Sequence, residues 1–96
     1  MRVWLTMQQW YRAVLCLFHF SIGLTYRYWG NTYGLNTEYE KAIEHYTRAL
    51  HYRPDKAKIY LNRGILYWRE LDHPRRAILD FNEALTLDPD LDEAQF

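Results

Sequence analysis

The chain has 96 residues, enough for one ordinary domain, and a formal charge of zero from 12 basic and 12 acidic side chains. Lys56, Lys58, Arg63, Arg69, Arg75 and Arg76 are interleaved with acids, so the clustered basic face that nucleic acid requires is missing. The single cysteine, Cys16, excludes an internal disulfide, and four scattered glycines exclude a glycine-rich phosphate loop.

The opening stretch, Met1 to Leu24, carries an apolar run over residues 13–24. A helix that is apolar all round is buried, in protein or in lipid. One reading packs it on the rest of the chain as a cap covering Tyr26, Trp29 and Tyr33. The other gives it membrane contact, as a short span or lying at the interface. Trp4, Trp10 and Tyr11 beside arginines suit a headgroup region, and residues 1–37 hold Arg2, Arg12 and Arg27 but no acid. Against a span, the run falls short of the roughly twenty residues needed, and Gln8, Gln9 and Arg12 sit badly in lipid. The same three residues speak against a cleaved signal peptide, as does the lack of an A-x-A-like site after the run. Cys16 lies inside the run and there acts as a small hydrophobe.

After this segment (1–22) the chain divides into units 23–56 and 57–91, with the start of a further helix over 92–96. In the first unit Tyr26, Trp29, Gly30 and Tyr33 recur at helical spacing and predict one packed face. Thr37 and Glu40 make a capping-box signal for a second helix. That helix carries the stripe Tyr39, Ala42, Ile43, Tyr46, Ala49 and Leu50 and ends before Pro54. In the second unit Asp55 is the predicted cap of a helix bearing Ile59, Tyr60, Gly64, Tyr67 and Trp68. The turn Leu71-Asp72-His73-Pro74 follows, then the stripe Ala77, Ile78, Phe81, Ala84 and Leu85, stopped by Pro89. Asp90 with Glu93 signals the further helix.

The two units repeat each other. Tyr26, Trp29, Gly30, Tyr33, Ala42, Tyr46, Ala49 and Pro54 recur as Tyr60, Arg63, Gly64, Tyr67, Ala77, Phe81, Ala84 and Pro89. The offset is 34 residues up to Tyr67 and 35 from Ala77, so one residue is inserted between. Such a period marks stacked helix pairs. Gly30 and Gly64 let helices approach closely, and the alanines receive aromatic rings from neighbouring helices.

These residues resemble the tetratricopeptide repeat family over about residues 23 to 91. The departures are the inserted residue near His73–Pro74 and Leu71 where glycine is usual. The resemblance implies an all-α fold of two helical hairpins stacked as a short right-handed superhelix, with an extra N-terminal hydrophobic helix. About three repeats usually make a stable stack, so the last stripe is expected to lack a full covering helix. The stop at Phe96, inside a predicted helix, reads as a fragment of a longer array, the alternative being a partner that covers this end.

The resemblance also implies a role, that of a protein-interaction or assembly scaffold in which the first helix of each pair lines a groove. By it the partner-binding residues are Arg27, Tyr28, Asn31 and Leu35, then Lys58, Leu61, Asn62, Ile65, Trp68 and Arg69. Arg27, Asn31 and Asn62 also fall at three places of the carboxylate clamp of co-chaperone members, with arginine in place of lysine and no third-repeat cations. The alternative is an accessory subunit of a membrane complex, anchored by the N-terminal helix. The partner is then another protein or peptide segment, with membrane or membrane-embedded subunits met through Trp4, Trp10, Tyr11 and residues 13–24. Such a chain would be cytoplasmic or peripheral to a membrane.

No catalytic constellation is present. The histidines (His19, His45, His51, His73) show no i, i+4 pairing, and Cys16 with His19 is too small a set for a metal site. The chain is therefore read as a non-enzyme without metal or cofactor.

Overall fold

A computed structural model describes residues 6–33 and 36–90, and the side chains of all of these except 31–33 and 36. Four helices follow in order: α1 (Met7–Tyr33), α2 (Asn36–Tyr52), α3 (Ala57–Arg69) and α4 (Pro74–Leu87). No strand occurs among the described residues. The expected all-α hairpin fold is the one found.

The apolar N-terminal segment is helical but does not fold back as a separate cap. It forms the first half of α1, a continuous helix of 27 residues. A helix that carries on cannot cover its own downstream face, and Trp29 stays 44 % exposed. Trp29 thus leaves the packed face expected of it, because that face is centred on Cys16, Gly23 and Gly30, all buried. The start of α1 is capped reciprocally. Thr6 Oγ1 accepts from the Gln9 amide (3.1 Å), and Gln9 Oε1 accepts from the Thr6 amide (2.9 Å), a Thr-x-x-Gln capping box.

One expected cap is not used. Asp55 does not cap α3, whose N-cap is Lys56 with no side-chain bond. The Asp55 carboxylate is taken by the guanidinium of Arg53, both contacts being 3.2 Å. α2 begins at Asn36, one residue before the predicted cap Thr37. Trp4, Leu35, and Leu91 to Phe96 with their further helix lie outside the described residues. In the α3–α4 turn the left-handed residue is Asp72 (φ 54°), not Leu71. Aspartate tolerates that region better than leucine does. Pro74 takes the first turn of α4, where a missing N–H costs nothing.

Each hairpin is built on an aromatic ring resting against a helix backbone. A methyl group at Gly23 would lie 2.6 Å from the Tyr46 ring, at Gly30 2.8 Å from the Tyr39 ring, and at Gly64 2.8 Å from the Phe81 ring. Partners descend on one helix as they ascend on the other, so the helices of the first hairpin are antiparallel. The repeat would lead one to expect Tyr46 over Gly30, as Phe81 lies over Gly64. Instead Tyr46 rests on Gly23, seven residues upstream. Seven residues are close to two turns, so both registers put a glycine under a ring. The connection is also shorter here, α1 ending at Tyr33 and α2 starting at Asn36, against Arg69 and Pro74 in the second hairpin.

The main core joins Cys16 of α1, Tyr39, Ala42, Tyr46, Ala49 and Leu50 of α2, and Ile59 and Leu66 of α3. Leu61 and Ala84 form a smaller cluster between α3 and α4. Across these layers runs one buried ion pair. Arg63 donates through Nε and Nη2 to the two Asp80 oxygens (2.8 and 2.7 Å) and through Nη1 to Thr47 of α2 (3.1 Å). Asp80 is only 5 % exposed. Of the last stripe, Ala77 and Ala84 are buried and Phe81 rests on Gly64, so α3 covers most of it; on the outer side of α4, Ile78, Leu79, Leu85 and Leu87 are exposed.

Gly23→Ala should destabilise the chain by ~1–2 kcal/mol in urea unfolding, since overpacking outweighs the roughly 1 kcal/mol gain in helix propensity. Arg63→Ala should cost about 3 kcal/mol, because it strands the buried Asp80 charge. The double change Arg63→Ala, Asp80→Ala should recover a measurable part of that loss; strict additivity in the cycle would show the pair to be uncoupled.

Candidate functional site

The polar centre between the hairpins is Arg27 of α1 and Asn62 of α3. Arg27 Nη1 donates to Asn62 Oδ1 at 2.6 Å in a part-buried, charge-assisted bond. Asn62 Nδ2 donates to the Lys58 carbonyl one turn back, at 2.8 Å, which fixes the amide's orientation. Two residues 35 positions apart in sequence are thus brought together where the first helices of successive pairs meet. The amide and the guanidinium each keep further N–H groups beyond these two bonds.

The other expected groove residues divide. Tyr28 is 63 % and Trp68 59 % exposed, and Tyr28 meets Trp29 edge-on at 5.8 Å. Lys58 and Arg69 are exposed on α3. Ile65 is partly buried against the Leu61–Ala84 cluster, and Leu61 itself is 4 % exposed. Leu61 is therefore a packing residue and not a groove residue, since it faces α4. The Asn31 side chain lies outside the described residues.

A second polar feature was not anticipated. His19 of α1 and His45 of α2 place their Nδ1 atoms 3.1 Å apart, with ring centroids at 5.3 Å and planes at 23°. The centroid separation is nearly the greatest that this nitrogen distance allows, so the two nitrogens point at each other. One N–H donates and the other lone pair accepts, an arrangement that holds a proton and cannot survive double protonation. Tyr26 flanks His45 (5.6 Å, 16°) and Tyr52 flanks His19 (5.9 Å, 6°). Lys41 sits over Tyr26 at 5.6 Å. Burial, then the His19 and Arg48 charges, push the His45 imidazole below its ordinary 6.5, against a smaller opposing effect of Glu44. A signal for this did exist in the repeat. With the 35-residue offset His45 stands where Asp80 stands in the second unit, and a polar residue inside both apolar stripes asks for a partner.

Tyr46 is wholly buried, and its hydroxyl has no hydrogen-bond partner among the described residues. Burial pushes the phenol up to about 12. A cavity of 480 Å³ lies at the α2–α3 turn, lined among others by Cys16, Phe20, Lys56, Ile59 and Leu87. Burial also raises the Cys16 thiol above its ordinary value. No cluster of three or more metal-ligating side chains occurs among the described residues. No helix among the described residues is long and apolar enough to cross a membrane.

Stacked antiparallel hairpins joined through a polar bridge between their first helices define a helical-repeat scaffold. Family comparison agrees. A TPR repeat model matches residues 30–70 and a tetratricopeptide repeat model matches residues 57–91, and the chain belongs to the tetratricopeptide repeat family. Such repeats mediate protein–protein interaction and are not themselves catalytic. Over 61 residues the chain is 41 % identical to a UDP-N-acetylglucosamine--peptide N-acetylglucosaminyltransferase of Giardia intestinalis. That stretch takes in 64 % of this chain but only 4 % of the relative. No solved structure matches the chain.

Since the folded His45 binds its proton less readily than the unfolded one, stability should be full above pH 6.5 and fall as the pH drops below it. Melting temperatures between pH 8 and 5 test this, and a His45→Phe variant should flatten the slope. Tyr46→Phe should leave stability unchanged or raise it by up to about 1 kcal/mol, because it removes a buried hydroxyl without a partner; a loss above that would reveal a hidden bond.

Proposed function

We propose that this chain is a docking module that holds an extended segment of a partner protein across the α1–α3 face. The single observation that carries the reading is the 2.6 Å Arg27–Asn62 bond, which fixes a cation and an amide side by side between the hairpins. Asn62 supplies an amide that can pair with a peptide backbone, and Arg27 supplies charge for a carboxylate or carbonyl. Tyr28 and Trp68 offer apolar contact with little rotamer entropy to lose, while Lys58 and Arg69 extend the polar lining and Ile65 its floor. Rigid stacked helices present these groups preorganised, which lowers the entropic cost of binding. A peptide-holding role accords with the Giardia relative, a transferase that by name acts on peptide. The first half of α1 gives the module a second contact surface.

Selection of a displayed library of extended peptides against the full chain tests the reading. Arg27→Ala and Asn62→Ala should each weaken the selected peptides at least about tenfold, the loss of one charge-assisted bond, with helical content unchanged. Peptides that bind both variants as tightly as the parent would refute the groove.

A further inference from the structure

α1 has two apolar faces. One is buried against α2. The other, on the opposite side of the helix, carries Met7, Trp10, Tyr11, Val14, Leu17 and Phe18, which are 87, 62, 61, 43, 65 and 56 % exposed. Tyr52, the last residue of α2, lies against His19. Upstream of Cys16, α1 therefore projects beyond α2 by up to about 14 Å at 1.5 Å per residue. On this projecting part the polar residues Gln8, Gln9 and Arg12 fall on the side that further along packs against α2. The projection is thus an amphipathic helix whose apolar side faces away from its own domain.

We infer that the partner of this face is a second copy of the chain, paired through α1 in antiparallel orientation about a two-fold axis at Val14. This deepens the second contact surface of the proposed function and is independent of the groove. Three observations favour a second copy. First, the pattern is symmetric about its smallest member. Residues three, four and seven positions either side of Val14 are Tyr11 and Leu17, Trp10 and Phe18, and Met7 and Ser21. An antiparallel pair crossing at Val14 lets the two helix axes approach there and sets Tyr11 against Leu17 and Trp10 against Phe18 on both sides, as an isologous interface requires. Second, the area suffices. The six side chains expose on the order of 650 Å² per copy, given 150–250 Å² for a whole aromatic residue. That is at the upper end of the largest apolar patch on a typical monomer, and its full burial in both copies would give about 1,300 Å², at the lower end of specific interfaces. Third, the cations are too few for an anionic lipid surface. Arg12 lies two residues from Val14, roughly 160° around the helix at 3.6 residues per turn, and points away from the apolar face. No other lysine or arginine occurs from residue 6 to residue 26. An interfacial helix is rich in lysine and arginine on its polar face, and a single arginine there gives little attraction to anionic headgroups.

Sedimentation velocity of the full chain over a range of concentrations tests the inference. The chain should reach twice its monomer mass of 11.8 kDa at high micromolar concentration. The variant Trp10→Glu, Phe18→Glu, altered only at exposed positions, should stay helical by circular dichroism and weaken the dimer at least about tenfold, as loss of central aromatic anchors does. A Val14→Cys variant should form an intermolecular disulfide across the axis. A Met7→Cys variant should not, because antiparallel pairing holds its two copies about 20 Å apart. A monomer at all concentrations, a dimer indifferent to the glutamate variant, cross-linking through Met7→Cys in place of Val14→Cys, or flotation of the monomer with phosphatidylserine vesicles would each overturn it. Peptide capture by the glutamate variant reads the groove separately, so failure of either proposal leaves the other standing.

Discussion

Everything in this fold depends on three aromatic rings that lie where a side chain would otherwise be. Tyr46, Tyr39 and Phe81 each rest on a glycine of the facing helix, at distances that leave room for hydrogen and not for carbon. The contact sets the spacing of each hairpin. It also brings Ala42, Ala49, Ala77 and Ala84, all at or near zero exposure, into the seam between helices. Dispersion over such close contacts is small per atom pair but large in sum, and with only four helices described there is little other core to share the load.

The polar groups are subordinate to that packing, and each occupies a place that it leaves open. The Arg63–Asp80 pair ties α2, α3 and α4 at the one position where the second unit departs from aromatic character. The His19–His45 pair stands at the corresponding position of α2 in the first unit and reaches across to α1. Arg27 and Asn62 join the two hairpins. Polar bonds of this kind add direction to a scaffold whose apolar contacts are less particular about angle, and the Arg27–Asn62 bond leaves its groups available at the surface.

The faces of α1 are treated unequally. One face builds the hairpin, one edge bonds to α3, and the remaining face is apolar and uncovered. A repeat family shares its scaffold among unrelated processes, so membership gives the class of activity, binding of other proteins, and not the partner. The Giardia relative illustrates the point: a stretch like this chain is a small fraction of a much longer transferase.

Helix content, pairing and the repeat were legible in the sequence, because apolar periodicity, two prolines and recurring small residues each act within a few positions of themselves. The core alanines and the close approach at Gly30 and Gly64 could be named for the same reason. Of the site, Arg27 and Asn62 could be named through the family resemblance, but their bond could not. What only the tertiary structure decided was register and continuity. Since seven residues nearly equal two turns, Tyr46 could rest on Gly23 or Gly30, and nothing local distinguishes them. Asp55 could cap a helix or bind Arg53, and the geometry of the turn gave it to arginine. The N-terminal segment could fold back or run on, and whether a helix breaks depends on what it packs against. The repeat offset marks His45 as a polar position in need of a partner, but that the partner is His19 follows only from the register, which brings the two level across the hairpin.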